Sequence, residues 1–284
     1  LTLSREICFY NNSIRLVIIS ATMDDDEPIY RNYFKKINDN FIYPIKRKII
    51  HPFFDDFNDF NKKFQINSIF LDRRLHISPP GKSTLFPIND VYSKYDKDID
   101  DNYENNEKNG IKKTLDICNS TSNGQILLFS IGNLEIKNIV KELNEKIPSN
   151  VVAIPYYGNL HPKYKEIIKD INIKLNEIKN NKNKIFEEWG GNYIENKQSN
   201  NNFTRAIIVA TNVAEASITI PNLKYVVDTG FSKVNYYNEN TNTTRLITEK
   251  ISESSRIQRR GRVGRTSSGI VYYMYNFESR KNIK

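Results

Sequence analysis

The chain has 284 residues, long enough for two domains with cores of their own. A hydrophobic fraction of 38% points to loop-rich stretches, and a formal net charge of +9 favours a polyanionic partner. Two cysteines, Cys8 and Cys118, and three histidines without paired spacing support neither a disulfide framework nor a zinc site, so a reducing compartment is expected and no metal site. Neither a bilayer-spanning apolar run nor a signal-peptide pattern is visible, which predicts a soluble, cytoplasmic protein with the nucleus or a virion as alternatives. Position 1 is a leucine in what reads as the middle of a domain, so further sequence upstream is expected.

In chain order, residues 14–20 (IRLVIIS) form an apolar run suited to a buried strand, and the hydroxyls of Ser20 and Thr22 sit at its carboxyl end. Residues 81–84 spell GKST, the tail of a phosphate-binding loop. That loop needs a glycine five residues earlier and a following helix, whereas position 76 is His76, Pro79 and Pro80 precede, and Leu85, Phe86 and Pro87 follow. The tetrapeptide is therefore set aside. Residues 93–110 are charged, polar and without periodicity, which predicts a linker over 89–110 and a second, complete α/β domain over 111–284.

Within that domain, strands are predicted at 125–130, 151–155, 206–211 and 225–228, and amphipathic helices at 133–146 and 161–170. A polar stretch at about 176–202 reads as a surface insertion. Strands alternating with helices predict an α/β fold with a doubly wound parallel sheet, whose ligands bind at the carboxyl ends of the strands. Gly132, the run Tyr157, Gly158 and Asn159, and the pair Thr211 and Asn212 all follow predicted strands, with Glu215, Ser217 and Thr219 soon after. Each type also serves in caps and turns, but together at one sheet edge they suit phosphate contacts. Residues 233–248 suggest a hairpin with its turn near 239–242. Its Lys233, Tyr236, Tyr237 and Arg245 suit a wedge between nucleic-acid strands or an inert sheet extension, and the residues alone do not choose.

The segment QRRGRVGR (258–265) is the most informative. On a continuous helix Gln258, Arg262 and Arg265, at i, i+4 and i+7, would share one face, with Arg259 and Arg260 pointing elsewhere. Gly261 and Gly264 beside that face suggest close approach of a ligand to the backbone. A polyphosphate with an attacking water fits: arginine is a permanent bidentate donor, and a glutamine amide orients water without titrating. A basic helix that coats nucleic acid is the alternative on this segment alone.

SATM (20–23), ILLFSIGNLEI (126–136), ATNVAEASITI (210–220), VVDTGF (226–231) and QRRGRVGR resemble, in order and spacing, motifs III to VI of the superfamily-two DExH/DEAH-box helicases. The doubled arginine and the valine of the last motif are closer to viral DExH RNA helicases. The resemblance implies two RecA-like domains that bind ATP or another NTP with Mg2+ in their cleft and single-stranded nucleic acid across their tops. Gln258 would position the water and Arg262 and Arg265 would act as fingers. Ser20 and Thr22 would couple hydrolysis to movement. Gly132, the turn around Tyr157, Gly158 and Asn159, and Thr211 with Asn212 would hold RNA, and the hairpin would separate strands. Residues 1–88 would be the remnant of the first RecA-like domain, with an extra stretch around 38–72. The family's Walker A lysine and DExH carboxylates are absent from this sequence, so the chain alone is expected to be inactive, with the nucleotide and its Mg2+ held mainly upstream. Two alternatives stay open: a non-catalytic nucleic-acid-binding module, and a translocase on DNA instead of RNA.

Overall fold

The computed structural model describes residues 2–10, 16–18, 29–30, 32–33, 85–93, 102–177, 203–215, 218–239 and 241–278. The chain divides into two compact units, Leu1–Gly81 and Lys82–Lys284.

In the first unit helix α1 (Thr2–Tyr10) buries Cys8 against Ile18, Tyr30 and Tyr33. The Tyr33 hydroxyl donates to Thr2 Oγ1 at 3.0 Å, and the Arg5 guanidinium lies over the Tyr33 ring at 4.6 Å. The strand predicted over 14–20 is not found at its described residues: 16–18 carry no strand pairing, and Leu16 and Val17 are exposed. Among the described residues of this unit there is no second strand to pair with them. Ser20 and Thr22 lie outside the described residues.

The second unit is built on six parallel strands: β1 (Ile88–Tyr92), β2 (Gln125–Phe129), β3 (Val151–Tyr156), β4 (Arg205–Ala210), β5 (Leu223–Asp228) and β8 (Gly269–Tyr273), in the order β1-β8-β5-β2-β4-β3. Strands β6 (Phe231–Asn238) and β7 (Thr243–Lys250) form a separate antiparallel hairpin. The helices are α2 (Tyr103–Ser120), α3 (Asn133–Lys146), α4 (Pro162–Lys169), α5 (Ile171–Glu177) and α6 (Glu253–Arg260), with a short 3-10 turn at Asn212–Glu215. This is the predicted RecA-like α/β fold. Every residue of β2, β3 and β4 is buried, β3 included although it closes one edge of the sheet, and apart from Gln125 and Arg205 at the strand starts the first and last of these strands are apolar, as parallel strands covered on both faces are. Helix α3 turns Ile136, Ile139, Val140 and Leu143 onto this sheet at helical spacing, leaving Leu134 exposed. After β4 the chain crosses β2 to reach β5, so the carboxyl ends of these strands flank a topological switch, where ligands bind in such sheets.

The predicted linker over 89–110 is in good part structured. Residues 88–92 form the edge strand β1, and α2 begins at Tyr103, where the Asn102 side chain caps it by accepting from the Asn105 amide. The helix is disguised in sequence because, Ile111 apart, its buried stripe runs through Asn106, Gly110 and Thr114 before it reaches Ile117 and Cys118. Asn106 Nδ2 donates to the Thr229 carbonyl at 3.0 Å, and a Cβ on Gly110 would stand 3.2 Å from Leu128, so a polar and a small residue do the packing.

Candidate functional site

Helix α6 starts where Ser252 accepts from the Ser255 amide and ends at Gly261, so QRRGRVGR is not one continuous helix. Its last five residues form turns. Gly264 has φ +75°, a conformation that disfavours side chains, and a Cβ there would meet Ile88 at 2.8 Å. The expectation that these glycines admit a ligand is corrected: Gly261 ends the helix, and Gly264 serves a tight turn packed on β1.

Three arginines are neutralised within the domain. Arg259 is wholly buried, donating from Nε to Glu215 Oε1 at 2.7 Å, from Nη1 to Asp228 Oδ1 at 2.7 Å and from Nη2 to the Phe231 carbonyl at 3.1 Å. Arg260 Nε contacts both oxygens of Asp90 at 3.0 and 2.9 Å. Arg256 pairs with Glu253 and donates to the hydroxyls of Tyr92 and Tyr273.

Arg262 and Arg265 are held differently. Arg262 donates from Nε to the Gln258 carbonyl at 3.3 Å and from Nη1 to the Ile218 carbonyl at 3.2 Å. Arg265 donates from Nε to the Gly261 carbonyl at 2.9 Å and from Nη1 to Thr219 Oγ1 at 3.3 Å. Both reach a carbonyl four residues back, so the side chains converge although the backbone has left the helix. Neither has an ion pair among the described residues. Burial, and then the neighbouring charge of Arg265, pull the Arg262 guanidinium down to about 10, against the pull of Glu215. It remains cationic at neutral pH. Two guanidinium groups that lack an ion pair among the described residues, each fixed through Nε and Nη1, suit a polyphosphate. Gln258 is half-buried on the last turn of α6. Among the described residues no group of three or more His, Cys, Asp or Glu side chains could hold a metal ion.

The residues singled out for nucleic acid gather at one sheet edge. Gly132 caps α3 just beyond β2, Tyr157, Gly158 and Asn159 follow β3, and Thr211 and Asn212 follow β4; Tyr156 and Phe129 both pair with Ala210. Gly158, Asn159 and Asn212 are exposed, while Tyr157 and Thr211 are buried. A Cβ on Gly132 would stand 2.6 Å from Glu135 Oε2 and 3.0 Å from Lys233 Nζ, so this glycine makes room for an ion pair of 2.7 Å that ties the hairpin base to α3. Lys233 is therefore held at that base. Tyr236, Tyr237 and Leu246 are exposed further out, with Tyr236 opposite Arg245 across the ladder.

Glu215 and Asp228, the two carboxylates that hold Arg259, are functional residues without a motif signal of their own. The signal they do carry is faint: carboxylates in or beside apolar strand ends, where a buried charge needs a partner. Asp90 gave none, for want of a predicted strand around it.

The parallel α/β sheet, with Arg262 and Arg265 held on neutral acceptors among the described residues, can be set beside known proteins. The helicase conserved C-terminal domain family matches residues 191–267. A protein of Acanthamoeba polyphaga mimivirus that carries the name of an ATP-dependent RNA helicase, R366, is 45% identical over the whole chain, which spans 15% of that protein. The ATP-dependent RNA helicase HrpA of Escherichia coli is 30% identical over 191 residues, 67% of this chain and 12% of that protein. The crystal structure of the E. coli DExH-box NTPase HrpB superposes with a TM-score of 0.52 at 25% identity, covering 70% of this chain and 20% of that one. The chain belongs to the superfamily-two DExH/DEAH-box helicases, with marked similarity to a viral member.

Proposed function

We infer that the chain acts within a longer protein as the second RecA-like half of an ATP-driven RNA helicase. A triphosphate with Mg2+ supplies the phosphoryl group whose transfer to water drives the cycle, and it is held mainly by another part of that protein. Arg262 and Arg265 donate to the phosphoryl oxygens as charge develops on them, and the Gln258 amide orients the water. Gly132, Tyr157, Gly158, Asn159, Thr211 and Asn212 line the strand ends over which an RNA backbone runs, received by hydroxyl, amide and backbone donors. Tyr236, Tyr237 and Arg245, carried on the hairpin that Lys233 anchors, meet the duplex. Ser20 and Thr22 couple hydrolysis to domain movement.

The observation that carries this reading is a contrast among five arginines: Arg256, Arg259 and Arg260 have carboxylates, whereas among the described residues Arg262 and Arg265 donate to neutral oxygens alone. The test is strand separation by the full-length protein on duplex RNA with a single-stranded overhang, with ATP or a non-hydrolysable analogue, and on matched DNA. Separation of RNA with ATP alone supports the reading. Binding indifferent to nucleotide, with no separation, supports a non-catalytic module, and separation of DNA alone supports a DNA translocase.

A further inference from the structure

Beyond the 3-10 turn, residues 218–220 belong to no helix or strand, and their burial alternates. Ile218 and Ile220 are buried at 4% and 5% exposure, while Thr219 between them is exposed. Two buried isoleucines fix the height and direction of this backbone, so the Ile218 carbonyl and the Thr219 hydroxyl present consecutive acceptors at defined positions. Those acceptors receive Nη1 of Arg262 and Nη1 of Arg265. Neither acceptor is charged, so both guanidinium groups are oriented without being neutralised. A carboxylate in place of Thr219 would orient Arg265 as well and cancel its charge.

We propose that Thr219 is a positioning residue for the phosphoryl-transfer step, its hydroxyl setting the Arg265 guanidinium in register with that of Arg262. The inference rests on the finger role of Arg265. With the Nε contact to the Gly261 carbonyl retained, loss of the hydroxyl leaves the arginine present and charged but held at one anchor in place of two, so that its planar guanidinium can tilt about that contact. Phosphate affinity depends mainly on charge and survives, whereas the transition state depends on alignment and suffers.

The experiment is steady-state ATP hydrolysis, with saturating single-stranded RNA, by the full-length protein and its Thr219→Val, Thr219→Ser, Arg265→Ala and Thr219→Val/Arg265→Ala variants. Thr219→Val should lose kcat by about tenfold, the worth of one hydrogen bond to a charged group, while KM for ATP changes by less than roughly threefold. Thr219→Ser, which keeps the hydroxyl, should restore kcat. The double variant should be no slower than Arg265→Ala alone, since Thr219 acts only through that side chain. A Thr219→Val enzyme within twofold of the parent, or losses that multiply in the double variant, would overturn the proposal. Should Arg265→Ala itself lose less than tenfold, the finger role fails first, and the inference falls with it.

Discussion

Arg259 and Asp228 lie 31 positions apart in the chain, and both are wholly buried, joined at 2.7 Å. The second Asp228 oxygen accepts from the Tyr275 hydroxyl at 2.9 Å, and its first also accepts from the Gly230 amide at 2.9 Å. The pair thus pins α6 to the end of β5 and, through the Phe231 carbonyl, to the start of the hairpin. Removing one partner strands a buried charge, a loss of about 3 to 5 kcal/mol. Arg259→Met and Asp228→Asn should each lower the urea midpoint of the chain by that equivalent. Replacement without loss of stability would show that the contact is dispensable.

The Arg260 and Asp90 pair predicts the opposite scale. Both side chains are 28% exposed, so water competes for the charges. Arg260→Ala should cost about 1 kcal/mol or less in the same unfolding experiment. A cost comparable to that of Arg259→Met would mean that edge strand β1 hangs on this contact.

Glu107, on α2, is pushed up to about 7 from 4.5, first by burial and then by the charges of Glu135 and Glu142, with Ser130 and Lys233 pulling the other way. Its folded-state value is raised, so the folded chain holds a proton that the unfolded chain releases. Stability from this group is intact below about 4.5, is lost progressively as pH rises toward 7, and stays lost above. The full linkage is about 3 kcal/mol, which partial exposure reduces to roughly 1 to 2 kcal/mol. Glu107→Gln should therefore gain that amount over the parent at pH 8 and little at pH 4.5, by urea melts at both values. An equal difference at both would refute the assignment.

Gly264→Ala tests the turn. At φ +75°, with Ile88 2.8 Å from the added carbon, the substitution should cost about 1 to 3 kcal/mol and slow ATP hydrolysis by shifting Arg265. Stability unchanged in chemical denaturation would contradict the turn's strain.

Strands β2 to β4 were legible because strands covered on both faces are apolar along nearly their whole length, and α3 repeats its apolar stripe at helical spacing. Strand β1 (INDVY) was not, since it sits at the sheet edge with every second residue exposed. Helix α2 was hidden by its asparagine, glycine and threonine stripe. In QRRGRVGR a continuous helical face does not relate Arg262 to Arg265: each Nε returns to a carbonyl four residues back across a broken helix, which the spacing alone could not show. Partners more than thirty positions away, Glu215 and Asp228, could not be read from any local period.

Which arginines face a triphosphate decides the mechanism. Single-turnover ATP hydrolysis by full-length Arg262→Ala, Arg265→Ala and Arg260→Ala proteins, at saturating RNA and nucleotide, asks this directly. Losses of about 10³ or more are expected for the first two and of less than about tenfold for the third. Losses below tenfold at Arg262 and Arg265, or an equal loss at Arg260, would contradict the roles assigned to them.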